Sequence, residues 1–217
     1  TVTRRQRQMC IRDRIRTIND DRNLRISYSK TTARPTFKEI SAAQIYDPIT
    51  ERYFVGNPDV NPTYINNFDL RYESYSDGNQ IFAISTFYKQ FIDPIEITAF
   101  DANQPSVFIV RNNEEASVYG IELEYRKDIL NNDNHKLSLN LNTSVIQSIQ
   151  TMSDAEYQGR LISNPDKEID DSRELQGQSP YLINLGLVYN LFEKNIEIGS
   201  YYNCLLYTSD AADESLC

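Results

Sequence analysis

The sequence has no tryptophan, a single histidine and only three cysteines, and these scarcities exclude several kinds of site. Cys10, Cys204 and Cys217 all lie near the two ends, and none of them forms the Cys-x-x-Cys spacing of a metal or redox motif. His135 lies beside a predicted turn, where we expect a solvated side chain. The middle of the chain therefore cannot assemble a Ser–His, Cys–His or zinc site. We predict that the protein is not an enzyme and has no cofactor.

Long apolar runs and an excess of basic charge are also missing. No run approaches the ~20 apolar residues of a membrane-spanning helix. The basic start, residues 1–10, lacks the apolar stretch of a signal peptide, which leaves either a cytosolic chain or a missing N-terminus. The net charge is −9, whereas a nucleic-acid binder needs clustered lysine and arginine to neutralise phosphates. We therefore expect no nucleic-acid partner.

What the chain does show is a regular alternation of apolar and polar residues, which is the period of a β-strand. In the first such stretch, Leu24, Ile26 and Tyr28 share one face and polar residues occupy the other. The alternation predicts seven strands, at residues 24–33, 67–75, 81–91, 118–127, 136–146, 181–191 and from residue 196 onward.

The predicted connections alternate between short and long. The short ones are rich in Asn, Asp or Gly, as tight hairpins require, and lie at residues 19–23, 76–79, 131–134 and 192–195. Several long structureless loops are uncommon in a compact soluble domain. A membrane barrel accommodates them, because its short turns lie on one side and its long loops on the other.

Charges in the middle of strands indicate which face points inward. A charge that faces lipid at the bilayer midplane costs about 2–4 kcal/mol, so these side chains should face the interior. The lumen-facing candidates are Asp69, Arg71, Glu73, Glu122, Glu124 and Arg126. We expect them to pair with one another across strands, or to face whatever fills the lumen, rather than to contact a cargo.

Tyrosine residues are placed to form an aromatic girdle at the edges of the apolar face. The candidates are Tyr28, Tyr72, Tyr119, Tyr125 and Tyr189. A soluble antiparallel sheet with one solvated face would show the same alternation, so the pattern alone leaves that fold open. The alternating loop lengths favour the membrane barrel.

Four motifs follow one another in a characteristic order. They are SKTTARP at residues 29–35, GNPDVNP at 56–62, DLRYE at 69–73 and FYKQFIDPI at 87–95. Together they resemble the β-barrel of TonB-dependent outer-membrane receptors, and the resemblance covers roughly residues 16–203. Val60 stands where that family usually has leucine. The prolines of GNPDVNP limit the backbone N–H donors that a nucleotide site needs, so we expect this segment to shape a loop.

The resemblance implies a fold and a function. The fold would be an all-β, antiparallel transmembrane barrel of 22 strands, closed by a plug, of which this chain supplies about seven. The function would be active uptake of a siderophore, haem, cobalamin or glycan across the outer membrane of a Gram-negative bacterium. Its partners would be outer-membrane lipid and, through absent parts of the full-length protein, the plug domain and the TonB complex. The alternatives are a passive porin or adhesin-type barrel and a soluble β-sandwich binding module.

The two ends do not continue the strand pattern. Residues 1–14 and 204–217 hold all three cysteines and resemble translated sequencing-adapter DNA. We predict that both ends are non-biological and that residues 15–203 are a partial receptor barrel. We expect the chain to be a middle-to-late piece of the barrel.

The long loops are the expected place for recognition, because loops on a rigid scaffold carry binding residues. They include residues 36–63, 101–116 and 153–178. The third contains an acidic run, residues 164–174, whose carboxylates are the ligands calcium prefers. The run lacks the EF-hand spacing and its central glycine, so we expect a solvated loop.

Overall fold

The computed structural model describes residues 10–49, 51–76, 80–98, 107–163, 168–175 and 177–205. In chain order the elements are β1 (Cys10–Asn19), β2 (Arg22–Ala33), β3 (Gln44–Asp47), β4 (Arg52–Val55), β5 (Thr63–Ser76), β6 (Gln80–Ile92), β7 (Ile95–Thr98), β8 (Val107–Asn112), β9 (Glu115–Asn131), β10 (His135–Thr151), α1 (Asp154–Ser163), β11 (Ser172–Arg173), β12 (Tyr181–Leu191) and β13 (Ile196–Leu205). Within these ranges, no helix is both long and apolar enough to cross a membrane.

Eight strands form one large antiparallel sheet in the order β1-β2-β5-β6-β9-β10-β12-β13, and the short β11 pairs with β10. Each of the seven predicted strands is present in this sheet, so the prediction of an all-β antiparallel fold is confirmed. The strand β1, which the alternation did not predict, pairs along most of its length with β2.

Several strands are longer than predicted. The strands β9 and β10 each have 17 residues, whereas a tilted strand needs only about 9–11 residues to cross a bilayer. Their ladders continue from Lys136, beside the short turn, to Gln150, beside the long loops. The sheet therefore extends well past the thickness of a membrane.

The apolar face of the large sheet is exposed. Ile26, Ile121 and Val145 lie in one cross-strand row on this face and are 55%, 55% and 64% exposed. A neighbouring row is aromatic, in the order Tyr28, Phe68, Tyr88 and Tyr119. The rings of Tyr28 and Phe68 lie 4.8 Å apart, and those of Phe68 and Tyr88 lie 6.3 Å apart. Two of the predicted girdle tyrosines, Tyr28 and Tyr119, thus share a row.

The connections separate to opposite ends of the sheet. The short turns lie at residues 20–21, 132–134 and 192–195, where Asn195 takes a left-handed conformation at φ 52°. The predicted turn at 76–79 lies largely outside the described residues. The long loops lie at the other end, as the barrel interpretation predicted.

Two of the long loops join in a second, four-stranded sheet with the order β3-β4-β8-β7. Its small core consists of Phe54, Val60 and Val110. The strands β4 and β8 pair in parallel although they come from different loops. The loops therefore form a folded layer above the large sheet.

The GNPDVNP segment shapes the first loop, as expected. The backbone N–H of Asn57 donates to the carbonyl of Glu39 at 2.6 Å, and its side-chain amide donates to the carbonyl of Val110 at 3.2 Å. Gly56 lies so close to this turn that a Cβ atom would come 2.5 Å from the carbonyl oxygen of Lys38 and 2.8 Å from that of Glu39. Only glycine fits this approach of two backbone segments.

Both ends of the large sheet reach into the segments that we predicted to be non-biological. Residues 10–14 lie in β1, and residues 204 and 205 end β13. Cys204 is 4% exposed and is disulfide-bonded. The origin of residues 1–14 and 204–217 stays a prediction, and most of those residues lie outside the described ranges.

Candidate functional site

The predicted lumen-facing residues lie on one face of the large sheet. The strand β6 separates the three on β5 from the three on β9, and it presents small residues between them. Ala83 pairs with both Glu73 and Glu124, and Ser85 pairs with both Arg71 and Glu122. A long side chain on β5 can therefore reach across β6 to β9.

All three guanidinium nitrogens of Arg71 are engaged, and Nη2 reaches across β6 to β9. Its Nε lies 2.6 Å from Glu73 Oε1, its Nη1 donates to Ser85 Oγ at 3.0 Å, and its Nη2 lies 2.7 Å from Glu124 Oε2. Glu73 is only 6% exposed, and its second oxygen accepts the hydroxyl of Tyr75 at 3.0 Å. Charge-assisted bonds of this length are among the stronger ones in proteins.

The other candidates are held less tightly. Arg126 lies 3.7 Å from Glu124, and Asp69 accepts a hydrogen bond from Ser27 at 3.2 Å. Glu122 is exposed on the same face. The structure thus brings four of the six candidates into one ionic cluster and leaves Asp69 and Glu122 outside it. Whether the six face a plug stays a prediction.

A second ionic cluster, which the sequence did not predict, lies among the long loops around Arg173. Its Nε lies 2.6 Å from Glu156 Oε1, and its Nη2 lies 2.6 Å from Glu96 Oε2. Its Nη1 donates to Gln150 Oε1 at 3.4 Å. Arg160 also contacts Glu156, at 3.1 Å. Gln150 and Glu156 are 0% and 2% exposed, so the cluster is buried.

The loop cluster ties separate segments together. Glu96 belongs to β7 in the second long loop, Glu156 to α1 in the third loop, and Gln150 to β10 of the large sheet. Burial alone would lower the pKa of the Arg173 guanidinium, but the hydrogen bonds that it donates to Glu156 and Glu96, with their charge attraction, outweigh burial and raise the pKa. Arg173 therefore stays charged and bridges all three segments.

The described acidic side chains of the run that contains Arg173 are exposed. Glu168, Asp170, Asp171 and Glu174 all lie on the surface, as expected of a solvated loop, while Asp166 lies outside the described residues. Across the described ranges, no three acidic, histidine or cysteine side chains group in a way that could hold a metal ion.

His135 is less solvated than predicted. It is half-buried, and its Nδ1 lies 2.6 Å from the hydroxyl of Tyr189. The register explains the difference. His135 pairs with Leu191, and Tyr189 lies two residues before Leu191 on the same face of the sheet. The sequence could not show this contact, since the two residues are 54 positions apart.

Comparisons with known proteins agree with this geometry. The family described as "TonB dependent receptor-like, beta-barrel" matches residues 15–215. The match begins directly after the predicted N-terminal end and includes most of the predicted C-terminal end. A search of curated proteins found no match.

Two solved structures illustrate the similarity. The siderophore receptor PirA from Pseudomonas aeruginosa has 12% identity and a TM-score of 0.52, over 94% of this chain and 36% of that receptor. A mutant of the ferric enterobactin receptor PfeA from Pseudomonas aeruginosa, in complex with enterobactin, has 13% identity and a TM-score of 0.55, over 93% of this chain and 33% of that receptor. At such identities the likeness shows the fold alone. The chain spans about a third of the length of these receptors.

Proposed function

Because the chain belongs to the TonB-dependent receptor-like β-barrel family, we propose that it is part of the barrel wall of a receptor for active uptake of a scarce, bulky nutrient. Proteins of this family lie in the outer membrane of Gram-negative bacteria and are transporters and receptors, not enzymes. Uptake would be a property of the longer receptor, of which this chain spans about a third.

The observation that carries the proposal is the contrast between the two faces of the large sheet. One face exposes rows of Ile, Val and aromatic side chains, and the other carries the ionic cluster around Arg71. The first face is suited to contact with lipid. On the second face, each charged side chain placed against lipid at the bilayer midplane would cost about 2–4 kcal/mol. The chain therefore fits a wall with lipid outside and a polar lumen inside.

The lumen-facing residues suggest where the wall would meet the rest of the receptor. Arg71, Glu73 and Glu124 already pair with one another, so they would offer a plug domain a preformed ionic surface. The plug and the TonB complex would act through parts of the longer protein. Cargo would be captured by the long loops and released by a force-driven rearrangement of the plug, without covalent chemistry.

Siderophores are the first cargo class to test, followed by haem, cobalamin and glycans. Two of the similar structures are a siderophore receptor and a ferric enterobactin receptor. Their structural likeness to this chain supports the shared fold, and their cargo is the first candidate to test.

The test is uptake by a full-length receptor that contains this sequence. It would be expressed in a Gram-negative host without siderophore receptors of its own, and in the same host without TonB. We expect iron delivered as radiolabelled ferric siderophores to enter only when TonB is present. Equal uptake in both hosts would indicate a passive porin. Absence of uptake for all four cargo classes would overturn the proposal.

A further inference from the structure

A cavity of about 450 Å³ lies where the polar face of the large sheet meets the long loops, and we name it the mouth cavity. Ile65 and Phe91, near the loop ends of β5 and β6, form its floor. Ile95 and Ile97 of β7 line its wall, and Leu175 of the third loop lines the remaining side, which we name the roof. Its volume is within the range of small-molecule sites, about 300–1,000 Å³.

The polar side chains of the cavity wall are already engaged. Thr63 Oγ1 donates to the carbonyl of Asp93 at 2.9 Å and accepts the N–H of Ile95 at 3.1 Å. Glu96 Oε2 lies 2.6 Å from Arg173 Nη2 and accepts from Asn113 Nδ2 at 2.8 Å. Glu96 is the one carboxylate among the described residues of the wall, and its pairing with Arg173 neutralises it. Within this described lining, a charged guest would therefore find no free charge to replace its hydration.

Arg173 holds the roof of the mouth cavity. Its ion pairs with Glu96 and Glu156 fix the chain two residues before Leu175. The N–H of Leu175 then donates to Ser148 Oγ at 3.0 Å, and Ser148 is 2% exposed on β10. The roof is therefore attached both to the second loop and to the large sheet.

We propose that the mouth cavity binds an uncharged, apolar group of the cargo, and that Arg173 is a positioning residue that keeps Leu175 over it. The inference rests on the proposed function, because it assigns the cavity to that receptor's cargo. The guest is apolar because the described lining is mainly apolar and Glu96 within it is already paired with Arg173.

The first test compares two identical substitutions in the third loop of the full-length receptor. Leu175→Glu places a charge in the cavity roof, whereas Ile162→Glu places one at an 80% exposed position on α1. The probe is 1-naphthol, a neutral aromatic molecule, with binding measured by isothermal titration calorimetry. We expect Leu175→Glu to weaken binding of 1-naphthol by roughly tenfold or more. The new carboxylate would hold water in the cavity, and an apolar guest would have to displace that water. Ile162→Glu should stay within about twofold of the parent.

The second test addresses Arg173. We expect Arg173→Ala to lose 1-naphthol binding and Arg173→Lys to recover part of it, because lysine keeps the charge but not the forked geometry. The heat-dependent gel mobility of the barrel should be unchanged in both variants, which separates roof positioning from folding. In the parent receptor, 1-naphthalenesulfonate should bind more weakly than 1-naphthol.

Three outcomes would overturn the inference: equal binding by the Leu175→Glu and Ile162→Glu variants, equal binding of the neutral and anionic probes, or binding unaffected by Arg173→Ala. None of these outcomes depends on which cargo is transported. If TonB-dependent uptake is observed while the probe fails to bind, only the cavity assignment fails. If the probe binds and uptake is absent, the proposed function fails.

Discussion

At the scale of single residues, Arg71 joins three strands through one side chain. We predict that Arg71→Ala lowers the free energy of unfolding of the full-length receptor by roughly 1–3 kcal/mol, because it leaves the nearly buried Glu73 without its guanidinium partner. Arg126→Ala is the matched control, since this half-buried arginine lies as far as 3.7 Å from Glu124 and should contribute at most about 0.5 kcal/mol. Urea titration in lipid vesicles measures both, and equal losses would contradict the prediction.

The sequence could predict which residues share a face but not which ones pair. Alternation places Arg71 and Glu124 on the polar face, since every second residue of a strand points the same way. Their contact depends on register and on the small residues of β6 between them, with 53 positions separating the two in the chain. The contacts of Arg173 were still harder to predict, because its partner Glu96 is 77 positions away in the sequence and lies in another loop.

At the scale of elements, the strands of the large sheet were predictable and the loop elements were not. The strand at residues 181–191 was predicted with the bounds that it has, since alternation and turn residues agree at both ends. The loop strands β3, β4 and β7 have four residues each, too few for a period to show. The strand β3 pairs with β4, and β7 pairs with β8, each within one loop. The parallel pairing of β4 with β8 then joins the two loops, which no local pattern encodes.

Gly56 provides an element-scale prediction. Gly56→Ala should open the first long loop, because its Cβ would press against the backbone carbonyls of Lys38 and Glu39, and backbone cannot move aside as a side chain can. Overpacking of this kind costs about 1–3 kcal/mol, which corresponds to roughly 5- to 150-fold more frequent local opening. The measurement is the rate of trypsin cleavage in this loop of the full-length receptor.

Gly186→Ala is the control for Gly56→Ala. A Cβ at Gly186 would come 3.1 Å from the ring of Tyr201, which is 71% exposed and can shift. The trypsin cleavage rate of the first loop should therefore match that of the parent receptor. A Gly56→Ala receptor that is cleaved no faster than this control would show that the turn tolerates the added methyl group.

At the scale of the whole molecule, one face of the large sheet is suited to lipid. Its two outer strands, β1 and β13, each have one unpaired edge among the described strands. Among the described strands, β1 pairs only with β2 and β13 only with β12. Each edge therefore presents a row of backbone N–H and C=O groups to its surroundings. In water such an edge favours aggregation, and in lipid each unsatisfied group costs several kcal/mol.

The 217-residue chain alone should therefore not form a stable barrel. We predict that, refolded into detergent or lipid vesicles, it gives a single gel band whose mobility is the same before and after heating, and that trypsin degrades it throughout. The full-length receptor, refolded in the same way, should show a heat-dependent band and a protected barrel. A heat-dependent, trypsin-resistant band from the isolated chain would mean that β1 and β13 satisfy their edges without further strands. The chain would then be a small closed barrel, and its charged face would surround a lumen of its own.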